Sequence, residues 1–387
     1  MMHTYLKSNS AHNSRNFKIS ELLNREPIAL DQNKISSHIN GRVILITGAA
    51  GSIGSELTMQ ICAFSPYEIF LIDQSETALG ELEITVRERY PAIRIYAFVA
   101  SITDARRMAQ IIRQIKPEII FHAAAYKHVP IMEMHPYEAI KTNVMGTRII
   151  ADLAAKYQAK KFIFISTDKA INPSSVMGAT KRMAEIYLEH LHKSGKSSTQ
   201  FITTRFGNVL GSNGSFITIF KKQIESGGPV TVTHPEVTRY LMTAGEACQL
   251  VLEASAIGVN GDVLSFDMGH PVLVSDIARK MICLYGLRPG MDIKIIYTGL
   301  RPGEKLHEDL ISHEDTGKTH IHPKIRIACH KTDLFSDSEC STALLVKAME
   351  SGHPDKMVAL LKTLIPEYIS KNSDYNRLDN TTISSAI

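Results

Sequence analysis

From Val43 onward, short apolar runs alternate with longer stretches in which apolar residues recur every three or four positions. The runs are Val43–Thr47, Glu68–Asp73, Arg94–Val99, Glu118–His122, Lys161–Ser166 and Phe201–Arg205. They are too short for helices and predict buried strands. The stretches between them, Ser52–Phe64, Ala78–Tyr90, Ala105–Ile115 and Tyr137–Tyr157, carry the helical period. Buried strands alternating with helices specify an α/β fold, a doubly wound parallel sheet of Rossmann type over residues 41–206.

Past Arg205 the rhythm breaks. Glycines at 207, 211 and 214, a Gly-Gly-Pro at 227–229 and several prolines mark loops and short elements. Residues 207–237 and 269–330 are therefore expected to form a smaller, substrate-binding lobe, with a segment near 238–268 returning to the first domain. From about 331 the chain reads as a helical tail, with Met357, Leu360, Leu361 and Leu364 on one face and a frayed end. Residues 1–40 read as a polar extension, unstructured at its start, with a weakly amphipathic piece at Ile19–Leu23.

Composition narrows the class. The 387 residues are 44% hydrophobic with a net charge of +4 and no basic stripe, so no nucleic-acid footprint is expected. No apolar run approaches the about 18 residues of a membrane helix, and the polar start lacks the core of a secretion signal. Five scattered cysteines without metal or C-x-x-C spacing suit free thiols in a reducing compartment. A cytoplasmic protein without a metal site is the expectation.

The sequence TGAAGSIGSEL sets Gly48, Gly51 and Gly54 between a strand and a helix. Such a turn lets backbone amides approach a pyrophosphate, to which the helix N-terminus adds partial positive charge. Ala50, Ser52 and Ile53 belong to the same cradle. Asp73 follows Gly54 by 19 residues, near the spacing at which a carboxylate takes the adenosine ribose hydroxyls. It would repel a 2′-phosphate, which favours NAD over NADP. Ser101 and Ile102, past the third strand, join the cofactor side. So do Ala123, Ala124 and Ala125, small enough for the backbone to lie against a dinucleotide. Asn143 reads first as a structural amide, with a cofactor contact as the alternative.

The fifth strand ends in Ser166, Thr167, Asp168 and Lys169, at the edge of the sheet where open α/β folds bind ligands. A helix follows in which Met177 and Lys181 lie one turn apart. The glycine loop, the His-Ala-Ala-Ala segment and this helix resemble the extended short-chain dehydrogenases/reductases. STDKAINPSSVMGATKR, RFGNVLGSNGS, THPEVTRYLMT and GLRPGEKLHEDL resemble, more narrowly, its bacterial polysaccharide-biosynthesis branch, whose characterised members are UDP-N-acetylglucosamine 4,6-dehydratases. Larger members carry an N-terminal membrane bundle. Residues 16–40 resemble the connector that follows it, and the bundle itself is missing from this sequence.

That resemblance implies an NAD enzyme acting on a UDP-sugar. Met177 stands where the familiar dehydrogenases have tyrosine, and a thioether cannot take a proton. The larger dehydratases share this methionine. By resemblance Lys169 is the base that takes the carbon-5 proton, its pKa lowered by burial, and Asp168 the acid for the departing 6-hydroxyl. Thr167, Asp168 or a held water would deprotonate the 4-hydroxyl, and Lys181 would bind the nicotinamide ribose. Asn208, Val209 and Ser212 match a segment lining the sugar diphosphate. Arg239 and Arg301 are expected on phosphate oxygens. Glu304 either orients Arg301 or takes a ribose hydroxyl, and Lys127 and His128 reach for the sugar. Related enzymes form dimers or larger rings, so a homo-oligomer is expected. The leading expectation is dehydration with retention at carbon 5. The alternatives are an inverting dehydratase, an epimerase using the same ketone, or a catalytically silent Rossmann module.

Overall fold

The computed structural model describes residues 31–310, 320–328 and 338–379. The chain order opens α1 (Gln32–Ile39), β1 (Val43–Thr47), α2 (Ser52–Cys62), β2 (Glu68–Asp73), α3 (Glu76–Arg89), β3 (Arg94–Val99), α4 (Ala105–Ile115) and β4 (Ile119–His122). After α5 (Val129–Met134) and α6 (Pro136–Ala139), a π-helical turn over Ile140–Gly146 leads into α7 (Thr147–Lys156). Then come β5 (Lys161–Ile165), α8 (Val176–Lys193), β6 (Gln200–Arg205), β7 (Asn208–Leu210), α9 (Phe216–Glu225), β8 (Val230–Val232), β9 (Thr238–Arg239), β10 (Leu241–Thr243) and α10 (Ala244–Ile257). The remainder comprises β11 (Val263–Phe266), β12 (Val272–Leu273), α11 (Val274–Leu284), β13 (Ile295–Tyr297), β14 (His320–His322), β15 (Ile325–Ile327), α12 (Ser338–Glu350) and α13 (Pro354–Leu364).

Nine strands form the main sheet in the order β14-β15-β11-β6-β5-β4-β1-β2-β3. From β3 to β11 all neighbours are parallel, and β15 and β14 close the far edge antiparallel. The fold is α/β, with the 3-2-1-4-5-6 strand order of a dinucleotide-binding sheet. Apolar strands fill both faces. Leu57, Ile61 and Val86 of α2 and α3, with Val251 and Ala254 of α10, pack on one side. Met108, Ile112, Ile150 and Leu188 of α4, α7 and α8 cover the other.

The segment after the first domain divides. β11 joins the main sheet and α10 packs on its face, whereas β9 pairs with β12 in the smaller lobe. That lobe has its own core, including Phe220, Val230, Met281 and Ile293.

Two parts of the chain are more integrated than their polarity suggests. In α1, Ile35 and Ile39 are fully buried beneath α10, and Glu253 accepts a hydrogen bond from the Asp31 amide. A helix thus stands inside the stretch that reads as a polar extension, because two isoleucines four apart suffice to anchor its roughly two turns. The rest of that stretch, including Ile19–Leu23, lies outside the described residues. At the other end, Met357, Val358, Leu361 and Leu364 of α13 pack against Val176, Met177 and Met183 of α8. Helix α8 is therefore enclosed from Val176 to Leu188, every residue of that stretch being buried. Among the described residues no helix is long and apolar enough to cross a membrane.

Candidate active site

A cavity of about 580 Å³ opens over the carboxyl ends of β1, β4 and β5, between the sheet and the smaller lobe. Its inner wall begins at the glycine loop. Gly48 has φ +66°, a left-handed conformation open to glycine, and the Ala124 backbone crosses directly against it. Gly54 is as constrained, since a Cβ there would meet the Gly48 carbonyl at 2.1 Å. Helix α2 starts at Gly51 with no side chain capping it, so the first-turn amides of Ser52, Ile53 and Gly54 stand uncapped on the cavity wall. This is the cradle that a pyrophosphate fits.

Asp73 ends β2 beside this loop. Its Oδ2 accepts from the Ala50 amide at 3.0 Å and its Oδ1 from the Ser75 amide at 2.9 Å. The carboxylate thus shapes the loop from behind. Ala123 and Ala125 reach the cavity wall, while Ala124 presses on Gly48. Ser101 bonds the Thr103 hydroxyl, and the Ile102 side chain turns into the core against Gly146. Asn143 spends its whole amide on the protein. Its Oδ1 accepts from the Tyr126 amide at 2.8 Å, and its Nδ2 donates to the Tyr126 carbonyl and the Thr180 hydroxyl. It is a clasp that holds the chain after β4 against α8.

Beyond β5 the chain makes a single 3₁₀ turn, Asp168–Ala170, before Ser175 caps α8 by accepting from the Gly178 amide. Gly178 permits this turn to lie close, for a Cβ there would stand 2.3 Å from the Lys169 carbonyl. Thr167, Lys169, Met177 and Lys181 line the cavity, and Asp168 lies just beneath, 1% exposed. Asp168 Oδ1 accepts from the Thr167 hydroxyl at 2.8 Å and from Lys169 Nζ at 3.0 Å, while its buried Oδ2 has no partner.

Burial pushes the Asp168 carboxyl above the usual carboxylate range, and the nearby Glu308 adds to this against the pull of Lys169. The lysine moves in the direction opposite to the one expected from burial. Burial alone would lower its pKa, but Asp168 and Glu308 together outweigh that and raise it. Lys181 is the amine that burial does lower, to about 7. Its Nζ donates to the Ile165 carbonyl at 2.7 Å and stands 3.9 Å above the Phe164 ring.

The smaller lobe supplies the opposite wall. Asn208, Val209 and Ser212 line it, and Asn208 Oδ1 accepts from Lys169 Nζ at 3.0 Å. Lys127 and His128 flank the cavity mouth near Gly214. Arg239 is buried and already engaged, donating to Glu304 at 2.8 Å and to the Thr238 carbonyl at 2.7 Å. Arg301 keeps 53% of its side chain exposed, with Nε donating to Glu304 at 3.2 Å. Glu304 also accepts from the Arg301 amide, so both contacts run toward the same carboxylate oxygen.

Two acidic residues at this site escape a reading of the sequence. Glu308, 7% exposed, accepts from Lys169 at 3.2 Å. Glu133 is buried behind α8, where it accepts from the Val176 amide and the Ser373 hydroxyl, both at 2.6 Å. Neither sits in a spacing that marks a ligand. Only the charged context of GLRPGEKLHEDL hinted at Glu308.

Comparison with known proteins fits this geometry. Residues 44–330 match the family described as polysaccharide biosynthesis protein. The chain is 45% identical over 314 residues to the capsular polysaccharide biosynthesis protein CapD of Staphylococcus aureus, covering 81% of this chain and 51% of that one. It thus spans about half the length of that relative. It is 34% identical over 284 residues to an inverting UDP-N-acetylglucosamine 4,6-dehydratase of Campylobacter jejuni, covering 73% of this chain and 80% of that one. The X-ray structure of Pen from Bacillus thuringiensis superposes with a TM-score of 0.70 at 31% identity, over 76% of this chain and 90% of Pen. Glycine cradle, sheet order and family match agree, and the chain belongs to the polysaccharide biosynthesis protein family, within the extended short-chain dehydrogenase/reductase fold.

Proposed function

We propose that this chain removes water from UDP-N-acetylglucosamine to give the 4-keto-6-deoxy sugar, UDP-2-acetamido-2,6-dideoxy-4-hexulose, for a bacterial surface glycan. The reading rests on one observation above others. A hydrogen-bonded acid–amine pair, Asp168 and Lys169, sits at the sheet edge where Met177 leaves no phenol to act as base.

The residues present fit NAD. Gly48, Gly51 and the uncapped first turn of α2 would hold its pyrophosphate, Asp73 its adenosine ribose and Lys181 its nicotinamide ribose. Bound there, NAD supplies a hydride acceptor that gives back what it takes, so the overall reaction needs no outside oxidant.

The protein's own task is proton handling. The Asp168–Lys169 pair has two arrangements of equal charge: carboxylate with ammonium, or carboxylic acid with free amine. A shift of one proton along their 3.0 Å hydrogen bond interconverts them. Only the second offers a base for carbon 5 and an acid for the 6-hydroxyl at once. Thr167 on the cavity wall, bonded to Asp168, carries the acid's proton to the leaving group. Arg301, exposed and oriented by Glu304, is the arginine free to meet the pyrophosphate of the substrate, and Arg239 supports Glu304 from below.

Incubation with UDP-N-acetylglucosamine in deuterated water tests this. A product lighter by one water and carrying deuterium at carbon 5 is expected by mass and proton NMR. Absence of turnover by protein that holds NAD would overturn the reading. Retention at carbon 5 is the outcome expected. Inversion would instead select the second reading, favoured by the similarity to the inverting dehydratase of Campylobacter jejuni.

A further inference from the structure

Resting on the reaction proposed above, we propose that Glu308 is the positioning residue that fixes Lys169 in place and keeps the Asp168–Lys169 pair supplied with its working proton.

Lys169 Nζ has three donor positions, and three segments of the chain take them. Asp168 Oδ1 lies at 3.0 Å, Asn208 Oδ1 at 3.0 Å and Glu308 Oε1 at 3.2 Å. Asp168 is the lysine's own sequence neighbour and rides on the same 3₁₀ turn, so it cannot by itself hold the amine against the rest of the site. Asn208 is neutral. Glu308 is the second charge, and it comes from the opposite wall.

Glu308 is also an ion-pair partner of Arg239, but the distances rank that contact second. Arg239 donates to Glu304 at 2.8 Å, whereas Glu308 stands 3.8 Å from Arg239 Nε, beyond hydrogen-bond reach. The nearer partner of Glu308 is Lys169. Its other oxygen, Oε2, is buried without a hydrogen bond, as is Asp168 Oδ2. Two buried carboxylates thus converge on one amine. Around them stand Arg239, Glu304, Lys305 and Tyr240.

Both carboxylates ionised around a neutral amine would be a costly arrangement for side chains only 1% and 3% exposed. The negative charge of Glu308 therefore favours retention of one proton by the Asp168–Lys169 pair, on either member. Without that charge, the pair would lose its proton to solvent at lower pH, leaving a base but no acid.

The test compares wild type with Glu308→Gln and Glu308→Asp, each purified with NAD. Trace acylation of Lys169 across a pH series, read by mass spectrometry, reports the amine without need of any substrate. In Glu308→Gln the midpoint for acylation should fall by about one unit or more, on the scale of a single lost charge interaction. Turnover should show the alkaline limb of kcat displaced in the same sense, with KM changed less than about threefold and partial recovery in Glu308→Asp. An unmoved midpoint, or a loss of kcat equal at every pH and matched by loss of folding, would overturn the proposal. A displaced midpoint without turnover of UDP-N-acetylglucosamine would sustain the role of Glu308 while overturning the assigned substrate.

Discussion

Gly48 and Ala124 meet backbone against backbone: a Cβ added to Gly48 would stand 2.5 Å from both the Cα and the amide nitrogen of Ala124. The left-handed φ of +66° at Gly48 adds to the difficulty. Gly48→Ala should therefore part β4 from the glycine loop, at a cost of about 1–3 kcal/mol. Thermal melting and the NAD content of purified protein check this. A variant with wild-type melting and full NAD would show that the loop does not form the cradle.

Lys169→Ala should lower kcat by about 10²–10⁴-fold, the range for loss of a proton-transfer group. NAD should remain bound, because Lys169 makes no hydrogen bond to the glycine loop and its three partners all lie elsewhere. Turnover and cofactor content, measured on the same sample, separate the two effects. Undiminished turnover would mean that another group takes the carbon-5 proton.

Glu185 lies under the site, accepting from Arg205 Nε at 2.9 Å and from the Ser166 hydroxyl at 2.6 Å. Burial pushes its carboxyl up, but Arg205, Arg182 and Ser166 prevail and hold it at about 2. Glu185→Ala would strand the buried Arg205, while Arg182 keeps its ion pair with Glu367, and should cost about 3–5 kcal/mol. The folded pKa lies below the unfolded one, so this stabilisation is complete above about pH 4.5 and fades as pH falls toward 2. Urea unfolding of the two proteins should converge over that window. A gap that stays constant would place the effect in packing and not in charge.

Lys181 carries the opposite sign. Burial lowers it from 10.5 to about 7, so between those values the unfolded chain binds the extra proton and stability rises with pH. The penalty for the buried charge is complete below about pH 7. Lys181→Met should consequently stabilise the NAD-free protein more at pH 6 than at pH 9.5, by on the order of 2–3 kcal/mol, while turnover falls. Chemical denaturation at the two pH values decides it. Equal effects would show that the Ile165 carbonyl and the Phe164 ring fully support the ammonium.

Much of the fold was legible because local pattern and tertiary environment coincide. Val43–Thr47, Glu68–Asp73 and Lys161–Ile165 are apolar on both faces, as strands covered by helices must be. The glycine loop was legible for a similar reason, since its geometry depends on residues a few positions apart. Features that depend on distant segments were not. Ile35 and Ile39 are two apolar residues among polar ones, and only α10 packing over them makes α1 a core helix. Burial correctly predicts a lowered amine at Lys181. It misleads at Lys169, where Glu308 arrives from the other lobe and reverses the balance. Arg239 and Arg301 look alike in sequence, yet one is locked by Glu304 and two carbonyls while the other keeps half its side chain in solvent.

The stretch beyond α13 folds back onto the loop between the Asp168–Ala170 turn and α8. The Ile369 amide bonds the Pro173 carbonyl, the Lys371 amide bonds the Ser174 carbonyl, and the Gly303 amide bonds the Lys371 carbonyl. Residues 369–371 therefore knit the loop ahead of α8 to the turn that leads to Glu304 and Glu308. One short strand of backbone thus ties together two loops that approach the cavity from different parts of the chain, so a displacement of residues 369–371 would be felt by both at once.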